Sequence, residues 1–271
     1  MSGRQASCDS RSSRAVRSVV GSWTWLTWSM IWWCCQPIAE GCGKMTKGIL
    51  FDKDGTLFDF EATWAAWARE VLSTLAAETS MAPERLGRAI GFDWETGRFA
   101  AESPVVADTS SAVAAVLAPM VGMEARRLSL RLDEAAARAR PVLFPGVGDA
   151  LTALSRGGLR IGLATNDAAA AARRHLAAAG IDHHFDFVAG YDSGFGAKPD
   201  PGMCHAFAAE LSLRPGACVM VGDSLHDIAA GRAAGMRTIA VLSGPVADPA
   251  LCATADHVVA GVTEIPALFG L

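Results

Sequence analysis

The stretch FDKDGTLFD, Phe51 to Asp59, follows the apolar run Gly48-Ile49-Leu50 and sets two aspartates, Asp52 and Asp54, two residues apart. Aspartate is disfavoured in strands and favoured in turns, so Asp54-Gly55 fits a buried strand ending at a turn. Whether the acids do more depends on what the rest of the chain brings to the same place.

From Met45 onward, short apolar runs alternate with helical stretches, the pattern of an α/β fold with a parallel sheet. Strands are expected at 47–52, 159–164, 185–189, 217–222 and 237–242, with a weaker one at 257–260. Each is apolar on both faces, as strands covered on both sides should be. Alanine-rich helices are expected near 147–156, 167–179, 201–211 and 225–234. Between the first strand and the second, about ninety residues read as helices at 59–77, 83–90, 108–118 and 123–139. An insertion of that size, closed by Pro141 and Pro145, suggests a separate helical unit. The expected organisation is therefore a Rossmann-like, doubly wound parallel sheet formed by 45–59 and 143–271, with an all-helical cap at 60–142.

Charge narrows the possible partners. Residues 1–44 carry five Lys/Arg against two Asp/Glu, which leaves nineteen against twenty-six, or −7, for the rest. So acidic a body does not suit nucleic-acid binding, which needs a basic face to neutralise phosphates. Cys204, Cys218 and Cys252 stand singly, without metal-ligand spacing, as in a reduced cytoplasmic protein.

The first forty-four residues are different in kind. Arg4, Arg11, Arg14 and Arg17 precede an uncharged run, Ser18 to Ala39, that holds five of the eight tryptophans. Basic then apolar is the order of a signal peptide or membrane anchor. The run is interrupted by Ser, Thr and Gln, however, and MTKGILFDKDGTL from Met45 is a natural domain start. The expectation is that 1–44 is an extension outside the fold, with an export or anchor segment as the alternative; no membrane contact is expected of 45–271.

Parallel α/β sheets bind ligands beyond the carboxyl ends of their strands, where strand order reverses. The expected first strand ends in Asp52 and Asp54, the second in Thr165-Asn166, and the fourth in Asp223, with Asp227 a helical turn later. GAKPDP, residues 196–201, places Lys198 ahead of the fourth strand. Asp52 and Asp223 can share a hard cation, and Mg²⁺ is the ion that pairs a few carboxylates with a substrate phosphate. Lys198 and Thr165 supply a cation and a hydroxyl for phosphoryl oxygens, and phosphoryl transfer is mostly positioning and charge stabilisation.

The ordered blocks FDKDGTLFD, GLATN, GAKPDP and VGDSLHD resemble the four motifs of the haloacid dehalogenase (HAD) superfamily over roughly 47–242, with no key residue missing. The helical insertion resembles the C1 cap of the phosphoglycolate phosphatase-like branch. The resemblance implies Asp52 as nucleophile and Mg²⁺ ligand, and Asp54 as general acid/base with its carbonyl on the metal. It further implies Thr165, Asn166 and Lys198 as phosphate-binding, Asp223 as completing the metal site, Asp227 as supporting Lys198 or a metal-bound water, and Gly55 as the turn that brings amides to the phosphate. An acid at Asp54 is absent from the superfamily's dehalogenases, P-type ATPases and phosphonatases, so the implied activity is a phosphatase or phosphomutase. The expected reaction is Mg²⁺-dependent hydrolysis of a small phosphorylated metabolite through an aspartyl-phosphate, phosphoglycolate leading by branch. A phosphomutase and an inert binding protein on the same fold are the alternatives.

Plainer roles compete at several positions. Asp223 and Thr165-Asn166 can be helix caps, and His226 and His183-His184 are expected to be peripheral. Trp64, Trp67 and Trp94 are expected to be cap core, whereas Phe58, Asp59 and GFDWETGR, residues 91–98, can face a cleft.

Overall fold

The computed structural model describes residues 46–246 and 248–271, so the expectations for 1–44 lie outside it. The chain runs β1 (Gly48–Phe51), α1 (Phe60–Thr79), α2 (Pro83–Ala89), β2 (Phe92–Asp93), β3 (Arg98–Phe99), α3 (Pro104–Ala107), α4 (Ser110–Val121) and α5 (Ala125–Ala136). It continues with α6 (Val147–Arg156), β4 (Arg160–Ala164), α7 (Ala169–Ala178), β5 (Phe187–Ala189), α8 (Gly202–Glu210) and β6 (Cys218–Gly222). The last elements are α9 (Leu225–Ala233), β7 (Arg237–Val241), α10 (Pro249–Thr254), β8 (His257–Val259) and α11 (Ile265–Leu268). Among the described residues, no helix is long and apolar enough to cross a membrane.

Six strands form one sheet in the order β5-β4-β1-β6-β7-β8, with every neighbouring pair parallel. The expected α/β fold is therefore present, with β1 at its centre. Alternation along β1 feeds two cores: Ile49 and Phe51 join Ile161, Leu163, Val219 and Val221 on one face, and Leu50 joins Met220 and Ala164 on the other. Strand 185–189 starts later than expected, at Phe187, because the Asp186 carboxylate instead turns to Arg160 and the Ile161 amide.

The second face is built around Phe207 of α8, which is completely buried. Gly48 and Gly162 lie on the neighbouring strands β1 and β4. A Cβ on Gly162 would stand 2.6 Å from the Phe207 ring, and one on Gly48 3.0 Å from it. The two glycines make the flat on which the ring rests, and the Phe187 ring closes it from the side at 5.8 Å.

The segment α1–α5 packs around its own apolar cluster, with Leu72, Leu86, Leu117, Leu128 and Leu132 at its centre. Its entry and exit run side by side: the Asp59 amide donates to the Val142 carbonyl at 2.8 Å, and the Phe144 amide to the Leu57 carbonyl at 3.0 Å. Thr63 Oγ1 accepts from the Val142 amide at 3.0 Å, pinning the exit to the first helix. The hairpin β2–β3 and the short α3 were not expected from the sequence. Two-residue strands leave no period to read, and the Asp93 carboxylate, rather than any apolar pattern, forms the turn by accepting from the amides of Glu95 and Thr96.

Replacing Phe207 with Ala should empty the space above the two glycines and destabilise the protein by about 3–5 kcal/mol. Equilibrium urea unfolding monitored by circular dichroism checks this; a change below about 1 kcal/mol would show that the flat does not anchor the sheet.

Candidate active site

Three neighbouring strands deliver three of the expected residues to one edge of the sheet. Asp52 follows the end of β1, Thr165 the end of β4 and Asp223 the end of β6, and parallel neighbours end on the same side. Oxygens of Asp52, Asp223 and Asp227 come within 4.8 Å of one another. Lys198, from the loop before α8, donates its ammonium to Asp52 Oδ1 and, at 2.6 Å, to Asp227 Oδ1.

Two expected residues prove to be holders of Lys198. The other oxygen of Asp227 accepts from the Ser224 amide at 3.0 Å and hydroxyl at 2.6 Å, and Ser224 Oγ caps the start of α9, forming a reciprocal capping box. Asp227 is thus fixed by the helix end it helps to cap. Asn166 grips the Lys198 backbone from both sides, its Nδ2 donating to the Lys198 carbonyl at 2.9 Å and its Oδ1 accepting from the Lys198 amide at 2.8 Å. Thr165 is buried at the cleft wall, with its oxygen accepting from the Asp167 amide at 3.1 Å. Its hydroxyl proton can still be donated to a ligand.

Gly55 has φ +80°, the left-handed region that favours glycine. A Cβ there would stand 2.4 Å from Asp223 Oδ2, so the turn also needs glycine for space. Thr56 Oγ1 donates to Asp223 Oδ1 at 3.1 Å, tying the end of β6 to the turn after β1.

Lys53 and His175 were given no role from the sequence. Lys53 is completely buried, with its ammonium 2.7 Å from Asp54 Oδ2 and 3.2 Å from Asp167 Oδ2. It also donates to His175 Nδ1 at 3.1 Å and lies 5.0 Å from the centre of the Trp64 ring. His175 Nε2 donates to the Ala136 carbonyl at 2.9 Å, which leaves Nδ1 as the acceptor for the ammonium. Burial first, then the Lys53 charge, lowers the His175 pKa and keeps the ring neutral. The available signal was a lysine directly behind a fully buried strand, since a buried lysine demands carboxylate partners. Asp54 Oδ1 is buried with no hydrogen-bond partner and belongs to the cleft wall.

Electrostatics follow from too many acids around too few ammonium groups. Burial, opposed by Lys198, pushes the Asp52 carboxyl up to about 7. Burial, then the charges of Asp52 and Asp227, pushes Asp223 well above the usual carboxylate range. Burial draws Lys198 down, but Asp227 and Asp52 more than offset it, so the lysine stays charged. The cluster is short of positive charge, and its free donors are hard oxygens.

Above these residues opens a cleft of about 70 Å³, partly open to solvent. Its polar floor carries Asp52, Asp54, Thr165, Lys198 and Asp223, and its apolar roof is made of Phe60, Trp64, Trp67, Val105, Val106 and Val113. Trp64 and Trp67 are buried in the helical segment's apolar cluster, as expected, and also line the cleft; Trp94 packs against the same cluster and does not line the cleft. The residues expected to face the cleft lie elsewhere. Phe58 is buried in the sheet core, Asp59 caps α1, and the 91–98 hairpin packs on Arg69, which stacks near Phe92 and Trp94 and donates to the Trp94 carbonyl at 2.7 Å. His226 is part of the cleft wall, while His184 sits beside Thr152 and Ser155 on α6. Cys204 and Cys218 are free thiols whose pKa burial raises, to about 12 and about 11.

Over 215 residues the chain is 31% identical to the tyrosine-protein kinase PtkA of Mycobacterium tuberculosis, covering 75% of this chain and 64% of that one. It is 40% identical over 102 residues to a phosphoglycolate phosphatase of Nitrosospira multiformis, covering 37% and 44%. The chain therefore spans less than two thirds of the length of these relatives. A solved haloacid dehalogenase-like family protein from Streptococcus pneumoniae superposes with a TM-score of 0.63 at 20% identity, covering 83% of this chain and 99% of that one. The family model for haloacid dehalogenase-like hydrolases matches residues 46–235, and the chain belongs to that family.

Proposed function

We propose that the protein is a phosphatase that cleaves small phosphate monoesters through a phosphoryl group carried on Asp52. The observation that carries this is that Asp52, Asp54 and Lys198 line one cleft, with the Lys198 ammonium on Asp52 and one Asp54 oxygen without a hydrogen-bond partner. An Asp52 oxygen attacks phosphorus while the bond to the alcohol oxygen breaks, and Asp54 supplies the proton that the leaving oxygen takes up. Water then attacks the phosphorus of the aspartyl-phosphate and gives its proton to Asp54, releasing phosphate and restoring Asp52. Lys198, the Thr165 hydroxyl and the Gly55 turn face the charge on the phosphoryl oxygens. Lys53 fixes the orientation of the Asp54 carboxylate by binding Oδ2 and leaving Oδ1 without a partner.

The donor set suits Mg²⁺: buried oxygen ligands, short of positive charge, with Asp227 already engaged by Lys198 and Ser224. Asp52 and Asp223, with the Asp54 carbonyl, would hold it. When bound, such an ion supplies positive charge to the phosphoryl oxygens.

A second reading comes from the match over 215 residues to proteins named tyrosine-protein kinases. A kinase would consume nucleoside triphosphate and phosphorylate a protein, and a mutase would isomerise a sugar phosphate; the phosphatase releases inorganic phosphate. Assay of all three products with one preparation separates the readings, and protein phosphorylation without ester hydrolysis would overturn the one proposed.

With Mg²⁺ present, Asp52→Asn should lower kcat by at least about 10³-fold and Asp54→Asn by about 10²–10⁴-fold, measured as phosphate release. An active Asp52→Asn protein would remove the covalent step.

Proton and cation compete for the same acids. Asp52 binds its proton more tightly folded than unfolded, so the stability it contributes to the cation-free protein is present below about pH 4 and is lost as pH rises towards about 7. Added MgCl₂ should therefore raise Tm more at about pH 8 than at about pH 5.5, and the shift should vanish in Asp223→Asn. Differential scanning calorimetry checks this; a shift independent of pH would place the ion elsewhere.

Lys53→Met should leave Asp54 and Asp167 without their buried counter-charge, costing about 3–5 kcal/mol in chemical denaturation and slowing turnover in the folded fraction. Unchanged kcat with reduced stability would make Lys53 purely structural.

A further inference from the structure

We infer that the ester cleaved here carries an uncharged alcohol with an aromatic or branched apolar body, seated against Trp64 and Trp67. The inference rests on the phosphatase reading above and concerns the part of the substrate that reading leaves open.

The charge around the cleft comes first. Among the described residues that line it are five aspartates, Asp52, Asp54, Asp108, Asp167 and Asp223, and a single Lys or Arg, Lys198. That lysine already serves Asp52 and Asp227. None of the arginines of the helical segment lines the cleft; Arg69 donates to the Trp94 carbonyl at 2.7 Å, and Arg131 pairs with Glu78 at 2.6 Å. His226 lies in the first turn of α9, which Ser224 caps, and lines the same cleft. A second anion on the alcohol, such as the carboxylate of phosphoglycolate or another phosphate, would lose its water against Phe60, Val105, Val106 and Val113 with no guanidinium or ammonium to receive it. Such a group is strongly disfavoured in an apolar setting, and Asp108 at the rim repels it further.

The second observation concerns the roof's own polar atoms. Trp64 and Trp67 are 6% and 7% exposed, and the Nε1–H of each is buried without an acceptor. Buried indole N–H groups normally find a partner. The two rings stand edge to face, with centroids 5.3 Å apart and planes at 88°, which makes an aromatic corner with two donors to spare. A polyhydroxylated sugar needs many partners of both kinds, and beside those indoles the helical segment offers the cleft only Asp108 and the Thr109 and Ser110 hydroxyls. A flat apolar alcohol carrying one acceptor oxygen matches the wall in shape, charge and hydrogen bonding.

The test compares three esters of weakly acidic alcohols, so that leaving-group acidity does not decide the outcome: 4-methoxybenzyl phosphate, phosphoglycolate and glucose 6-phosphate. Phosphate release with Mg²⁺ should give the benzyl ester a kcat/KM about 10–100-fold above either of the others, mostly through KM. Thr109→Arg puts a guanidinium at the roof without removing a cap bond, since the Thr109 side chain makes none, and should narrow or reverse the preference towards phosphoglycolate. Trp67→Phe keeps an aromatic ring, removes one donor, and should raise KM for the benzyl ester while leaving that for glucose 6-phosphate unchanged. Hydrolysis of phosphoglycolate or glucose 6-phosphate at or above the benzyl rate would overturn the assignment of the alcohol and leave the phosphatase standing. No phosphate from any of the three would overturn both.

Discussion

The buried ammonium of Lys198 is the interaction on which the site depends. It reaches Asp52 from a loop 146 residues away in sequence, and Asp227 from the helix after β6 receives it on the other side. A lysine at 6% exposure is tolerated only because both carboxylates are placed for it, and both are placed by backbone that must lie where it does. Asp52 ends the central strand; Asp227 is locked into a capping box with Ser224; Asn166, at the end of the neighbouring strand, clamps the lysine's own peptide groups. Sheet order, helix start and loop conformation are therefore read out together in one ion triplet.

That triplet does not balance. Asp52, Asp223 and Asp227 crowd within 4.8 Å around one ammonium, so the floor favours a proton or a cation over its own ionised state. Burial first, and then the neighbouring acids, displaces Asp52 and Asp223 upward. A site poised in this way is strained when empty of positive charge and relieved by it, which is the electrostatic preparation phosphoryl transfer requires. Folding tolerates the excess because the apolar sheet faces and the helical cluster on α1–α5 are extensive.

Most of this was legible in the sequence where chemistry sits on strand ends. Strand ends are marked by abrupt changes from apolar runs to Asp, Thr or Gly, so Asp52, Asp54, Thr165 and Asp223 could be aligned on one edge before any coordinates. Lys198 was legible only through its motif, because nothing local distinguishes it from a solvated lysine. What the sequence leaves open falls on the helical segment. Trp64 and Trp67 are core residues as expected and line the cleft as well, because a tryptophan on an amphipathic helix presents the same pattern to a core and to a cleft wall. Phe58, Asp59 and the 91–98 hairpin were credited with a cleft that their hydrogen bonds turn them away from. Helix-on-sheet orientation is a long-range property, and no window of sequence contains it.

Lys53 and His175 show the same limit from the opposite direction. Each is unremarkable in its window, yet together they join the turn after β1 to the last turn of α5. The Asp54 carboxylate holds the Lys53 ammonium, the ammonium holds His175 Nδ1, and His175 Nε2 holds the Ala136 carbonyl. A helix's final carbonyls lack intrahelical partners, and here one of them is satisfied by a ring from the sheet side. The residue assigned to proton transfer is thereby connected, through three polar contacts in an otherwise apolar interior, to the helical segment that roofs the cleft. Any shift of α5 against the sheet must either carry His175 with it or leave the His175 Nε2–H without its acceptor, while the Ala136 carbonyl keeps the Ala139 amide and the Lys53 ammonium keeps Asp54 and Asp167. An unpaired buried donor is costly, and that cost couples the ring to the helix end. The position of the roof and the orientation of Asp54 are thus set by one constraint.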